Sequence, residues 1–119
     1  MLTYDAFRQP CPFTPDVVVA IDDVVDDKVR LAACHESQFF EWLAHDRRWP
    51  AVPDHEADRL KWLKELALQR DQKQARIFRD LLRKRYPAAP AEWLYAESFA
   101  LSEYGRALSP GEVDELIPF

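Results

Sequence analysis

Glycine is nearly absent: Gly105 and Gly111 are the only two in 119 residues. Phosphate-cradling loops need several glycines close together, so Walker-type and dinucleotide-binding fingerprints are excluded. Cysteine is as scarce, with Cys11 and Cys34 alone and no CxxC pair, which removes cysteine-cluster zinc sites. In a chain with no visible export signal the two read as reduced thiols rather than a disulfide. Histidine occurs three times, at His35, His45 and His55. No apolar run is long enough to span a bilayer. The segment Met1-Leu2-Thr3-Tyr4-Asp5 has neither a basic stretch nor an apolar core, so it does not read as a signal peptide. The expectation is a cytoplasmic protein without a membrane partner, forming one domain or part of one.

Charge is plentiful but uneven. Ten basic residues and three acidic ones lie between Arg59 and Arg85, a segment of +7 in a chain of net charge −5, so the remainder carries −12. The simplest reading is a solvated helix whose basic face meets the acidic rest of its own protein. Docking of an acidic partner on that helix is the alternative. Nucleic acid is poorly supported as a partner, because Gly-rich or aromatic-interleaved basic loops are missing.

Pro10, Pro12 and Pro15 bar a helix near the start, so residues 1–16 read as extended. Val17-Val18-Val19-Ala20-Ile21 is a continuous, β-branched run, as expected of a strand buried on both faces in a parallel sheet. One such strand cannot stand alone and implies partner strands. Asp22 and Asp23 offer N-caps to a helix from about Val24 to His45, with Val25, Val29, Ala32, Phe39 and Leu43 on one face. Trp49-Pro50 and Pro53 end it, and Asp54 is placed to cap a second helix from about His55 to Arg85. The stripe of that helix, Leu60, Leu63, Ala67, Arg70, Gln74, Ile77 and Leu81, is interrupted by polar residues. Tyr86-Pro87 stops it. A strand from Leu94 to Leu101 is favoured by aromatic content, and Ser109-Pro110 opens a short terminal helix. The fold class is therefore α/β and mostly helical, with one or two strands and two long helices.

The run Cys34-His35-Glu36-Ser37-Gln38-Phe39-Phe40-Glu41-Trp42-Leu43 sets polar side chains among aromatic ones. His35, Ser37 and Gln38 are the substrate-pocket candidates: Gln38 brings an amide donor and acceptor, and His35 a titratable ring. The other reading is that they bond to nearby backbone and fix the helix, since polar groups are buried only with partners. Ser37 and His35 point to different sides of a helix and do not make a triad with an Asp. His45, Asp46, Asp54, His55 and Glu56 match no ligand spacing, so no metal ligands are assigned. Glu97 and Glu103 bracket an aromatic segment, but nothing in their spacing marks them as a glycosidase pair. Trp42, Trp49, Trp62 and Trp93 read as core. No catalytic residue is assigned.

Several of these stretches fall in a familiar order. Pro12-Phe13-Thr14-Pro15-Asp16-Val17-Val18-Val19 leads into Ile21-Asp22-Asp23-Val24-Val25-Asp26-Asp27-Lys28. His35-Glu36-Ser37-Gln38 follows, and later Ala96-Glu97-Ser98-Phe99 and Ser102-Glu103-Tyr104-Gly105-Arg106. This order resembles the C-terminal half of the PIG-L (LmbE-like) deacetylases, in which a strand precedes a helix with a Lys and an H-x-S-Q motif, and a late strand carries an acidic motif. The resemblance implies a Rossmann-like sandwich and a zinc-dependent amide hydrolase acting on N-acetylglucosamine-type substrates. It assigns His35, Ser37 and Gln38 to lining or supporting a pocket, and it matches Lys28, Glu97 and Tyr104 to positions without an assigned role. The family's H-P-D-D motif and later metal-ligating His have no counterpart in this sequence. Zinc is thus expected for a complete family member and no cofactor for this chain, whose residues 1–119 read as a single partial domain, inactive alone. An N-terminal half, or a homo-oligomer partner, is expected to cover an exposed sheet face.

Overall fold

A computed structural model describes residues 2–3, 13–89, 92–102 and 104–118. It begins with a two-residue strand, β1 (Leu2–Thr3), which the sequence did not announce because two residues carry no alternation. The Val run forms β2 (Val17–Ala20) and the late aromatic stretch forms β3 (Ala96–Leu101). The order across the sheet is β1-β3-β2. Both pairs are antiparallel, with Val17 opposite Phe99 and Ala20 opposite Ala96. The expected parallel neighbour of β2 is therefore not found among the described residues, and the chain itself supplies the partner strands that a lone strand seemed to lack.

Burial of β2 on both faces does hold. Val18 packs with Ala75, Leu82 and Ala96 on the side of helices α4 (Gln69–Ile77) and α5 (Arg79–Arg85). Val17 and Val19 pack with Val113 and Ile117 at the terminal helix α6 (Pro110–Leu116). Successive side chains point to opposite faces, so an uninterrupted valine run is what a doubly covered strand requires. The chain's own helices thus cover both faces of β2.

Helix α1 (Val25–Ala33) follows a 3-10 turn at Asp22–Val24. Asp22 does not cap it. Its carboxylate instead accepts the Leu94 N–H at 2.8 Å, joining the helix start to the approach of β3. The expected unbroken helix to His45 is interrupted at Cys34 and His35, then continues as a π-helix over Ser37–Trp42 and a short α2 (Leu43–Asp46). The exit is a Schellman turn: the Trp49 N–H donates to Ala44 O and the Arg48 N–H to His45 O, with Arg48 at φ 52°. Glycine ordinarily takes that position.

The second predicted helix is three: α3 (Glu56–Ala67), α4 and α5. His55, not Asp54, is the N-cap of α3, and it makes no side-chain cap bond. The breaks at Leu68 and Phe78 slip the helical phase. Leu63 on the expected stripe is fully buried, but the buried positions beyond the first break are Leu68, Asp71, Ala75 and Leu82. Ile77 and Leu81, both expected inside, are 57% and 41% exposed. Val25, Val29, Trp62, Leu63 and Leu68 form a helical core lobe, joined by Phe39, Phe40 and Trp49. Trp62 is buried and Trp49 and Trp93 are half-buried, whereas Trp42 is 58% exposed and is not core.

α6 forms as read. Ser109 Oγ accepts the Glu112 N–H and the Glu112 carboxylate accepts the Ser109 N–H, a capping box with Pro110 at the first position.

Candidate functional site

Three charged side chains from three elements converge on Lys28. Its ammonium, on α1, lies 2.6 Å from Asp71 Oδ2 on α4 and 2.5 Å from Glu97 Oε1 on β3. Asp71 is 7% exposed, one of the two buried polar residues among those described; the other is Ser98. Beside the cluster Ser98 Oγ donates to Gln74 Oε1 at 2.6 Å, a second polar bond between β3 and α4. Burial raises the Asp71 carboxyl above its ordinary value, and the hydrogen bond and charge of Lys28 offset only part of that rise. For Lys28, burial works toward a lower pKa, but hydrogen bonds and attraction from Asp71 and Glu97 outweigh it, so the ammonium is held above the usual lysine value. A lysine so held stays protonated and is neither a nucleophile nor a base. Its chemistry here is positional: it pins the helical lobe to the sheet.

Lys28 and Glu97 are two of the residues that the sequence resemblance singled out without a role. Asp71 was missed. It lies in the basic segment that read as a solvated helix, although it shares a helical face with Ala75 and Leu82, four and eleven residues on. Tyr104, the third residue without a role, is 90% exposed and lies outside the cluster.

His35, Ser37 and Gln38 sit where α1 gives way to the π-helix. The His35 carbonyl accepts the N–H groups of both Gln38 and Phe39 at 3.0 Å, and the Leu43 N–H reaches back to Gln38 O. Phe39 and Phe40 turn into the helical core, and the three polar side chains are left exposed. They line neither the cavity of about 650 Å³ beside β2 nor the one of about 160 Å³ near Leu116. The described residues leave these three side chains open to solvent, outside both of those cavities. π-segments mark functional sites more often than chance, and this one carries the H-x-S-Q residues on its outer side. Next to them Leu31 and Trp42 are 68% and 58% exposed, and Cys34 is an exposed free thiol. Cys11 lies outside the described residues.

His45, Asp46, Asp54, His55 and Glu56 are all exposed. Glu97 is engaged by Lys28, and Glu103 lies outside the described residues. Among the described residues no group of three or more His, Cys, Asp or Glu side chains is placed to hold a metal. No helix among the described residues is long and apolar enough to cross a membrane. Within the described residues the basic segment meets acidic residues of other elements where Lys64 lies 2.6 Å from Asp26 and Arg85 lies 3.6 Å from Asp114. Lys61, Lys73, Arg76, Arg79 and Lys84 remain exposed. The chain matches no protein-family model, no curated protein and no solved structure.

Proposed function

We propose that this chain is the C-terminal part of a PIG-L (LmbE-like) N-deacetylase of Rossmann-like lineage, working on N-acetylglucosamine-type substrates and inactive by itself. The observation that carries the reading is the contact between Lys28 and Glu97. They occupy two separate family-like stretches 69 residues apart, and they meet in one ion pair. In this reading Lys28, Asp71 and Glu97 hold α1 against the sheet, so that the π-helix presents His35, Ser37 and Gln38 outward. Those three are the chain's contribution to substrate contact, and they form a pocket wall only when another protein surface faces them. Zinc, the attacking water and the general base belong to the H-P-D-D part, which is not in this sequence.

The test is the DNA upstream of the Met1 codon together with the purified chain. An H-P-D-D-encoding stretch, in frame or one shift away, is the result expected. The purified chain should hold no stoichiometric zinc and release no acetate from an N-acetylglucosamine derivative. Zinc retention with acetate release would overturn the claim of inactivity. An unrelated upstream sequence would favour the second reading, a non-catalytic interaction module. The exposed cations Lys73, Arg76, Arg79 and Lys84 support that one, as a face for an acidic partner.

A further inference from the structure

The cavity of about 650 Å³ beside β2 has the size of a small-molecule site. Four ionisable side chains line it among the described residues, two of each sign. Lys84 and Arg85 come from α5, Asp114 from α6, and Asp16 stands just before β2. The rest of the lining is aliphatic or proline, and includes Val17, Leu101, Leu108 and Val113.

These charges do not use one another up. Arg85 lies 3.6 Å from Asp114 Oδ1, close enough for an ion pair but beyond a hydrogen bond, and it also donates to Ile117 O. The Asp114 side chain is 76% exposed and keeps its second oxygen. Asp16 Oδ2 accepts the Leu101 N–H at 2.7 Å, and a carboxylate has room for further donors. Lys84 is exposed and has no ion pair among the described residues. The cavity thus offers an ammonium with three donors and two carboxylates with spare acceptor capacity.

That balance selects the ligand. A bare cation drawn to Asp16 and Asp114 also meets Lys84 and Arg85, and a bare anion meets the reverse. A molecule that carries both charges gains from both. The aliphatic floor is nearly closed to solvent, with Val17 and Val18 each 3% exposed, so it admits only a small apolar body.

We infer that this cavity binds a small aliphatic zwitterion, of the amino-acid or dipeptide kind. Its carboxylate is taken by Lys84 and its ammonium by Asp114 and Asp16. Lys84 and Asp114 are exposed, so both contacts are screened by water, and an affinity on the order of 1 mM is expected. The inference does not rest on the deacetylase reading and would stand if that failed.

The test uses the full chain and methyl NMR. Alanyl-valine at millimolar concentration should shift the methyls of Leu101, Leu108 and Val113, and leave those of Val25 and Val29 in the helical core unmoved. N-acetylation removes its ammonium and C-terminal amidation its carboxylate. Each should weaken binding about fivefold, the upper end for a solvent-exposed ion pair. Lys84→Met should weaken the free dipeptide by the same factor and leave the amide's affinity unchanged. Asp114→Asn should weaken the free dipeptide and leave the acetylated form unchanged. Both positions are exposed, so neither change threatens the fold. Blocked forms that bind as well as the free dipeptide would overturn the proposal, as would a Lys84→Met loss equal for acid and amide. Unmoved cavity methyls with both alanyl-valine and free valine would overturn it too.

Discussion

The helical lobe and the sheet lobe solve the same burial problem with different materials. The helical lobe uses large rings. Phe40 stacks on Trp62 at 5.9 Å, Trp49 meets the same ring edge-on at 5.5 Å, and the Arg59 guanidinium lies 4.1 Å over Phe40. The sheet lobe centres on Val17, Val18, Val19, Ala75 and Ala96, small side chains that let helices approach both faces of a strand, with Leu82, Ile117 and the Tyr86–Trp93 ring pair around them. Rings leave polar loose ends: Trp62 Nε1 and Arg59 Nε are buried without a protein partner among the described residues. In the sheet lobe the buried Ser98 hydroxyl is met by Gln74. The lesson is a division of labour. The helical lobe carries the outward polar motif and the sheet lobe carries the frame, with Lys28 between them.

The hardest way to break the comparison is to empty each lobe in turn. Leu63→Ala and Leu82→Ala remove fully buried side chains, one from each lobe. Each should cost about 3 kcal/mol in urea denaturation. If the lobes are one cooperative unit, both variants shift a single transition, and two transitions would show that they unfold apart.

Cutting the tie comes next. Lys28→Met leaves the Asp71 carboxylate buried without its cation. It should cost about 2 kcal/mol, below the figure for a fully buried pair because the Lys28 side chain is 34% exposed. Adding Asp71→Asn should restore part of the loss, a double-mutant-cycle signature of coupling between the lobes. The signs of the two shifts differ in their effect. Lys28 is raised on folding, so its contribution is complete below about pH 10.5 and is lost as the pH rises through the folded value. Asp71 is raised as well, so it opposes stability above the carboxylate range and adds nothing to acid unfolding.

At the sheet lobe's outer helix, Ser109→Ala should cost about 1 kcal/mol. Glu112 is held down to about 2 by Arg106, at 2.6 Å, and by the Ser109 N–H and hydroxyl. Its contribution is present above its usual value of 4.5 and fades as the pH falls toward 2. Amide exchange in α6 should therefore speed up in that window, and Glu112→Gln should remove the pH dependence.

In the helical lobe, Arg48→Gly should stabilise by roughly 1 kcal/mol, by relieving the left-handed conformation of a side-chain-bearing residue. The smallest effect belongs to His35→Ala. The ring is exposed, and the midpoint should move by less than about 0.5 kcal/mol. A larger loss would mean that the motif supports the fold rather than facing outward.

Legibility in the sequence followed range of interaction. The Val17–Ala20 strand, the later strand and the Ser109-Pro110 helix start were readable because alternation, β-branching and capping act over a few residues. Strand direction was not, since pairing Val17 with Phe99 is decided 82 residues away. The breaks at Leu68 and Phe78 carry no Gly or Pro and arise from packing α3 on α1 while α4 and α5 pack on the sheet. Asp71 was hidden by that same slip, which turned a nominally outward position inward. His35, Ser37 and Gln38 were found as a cluster by composition, but their exposure was not foreseen, because the π-helix between them and Leu43 is set by tertiary packing.

That π-helix gives the chain a local tolerance of length. An α-helix turns about 100° per residue, and the wider π turn absorbs one residue more than an α turn would. Deleting a single residue there, Glu41 for example, would let the segment relax into ordinary helix. Because the π turn had already taken up that residue, the stretches before and after it would keep their facing, with Ala44 and Trp49 still turned to the core. The same deletion within α1 or α3 meets no such slack and would rotate one side of the helix against the other by about 100°.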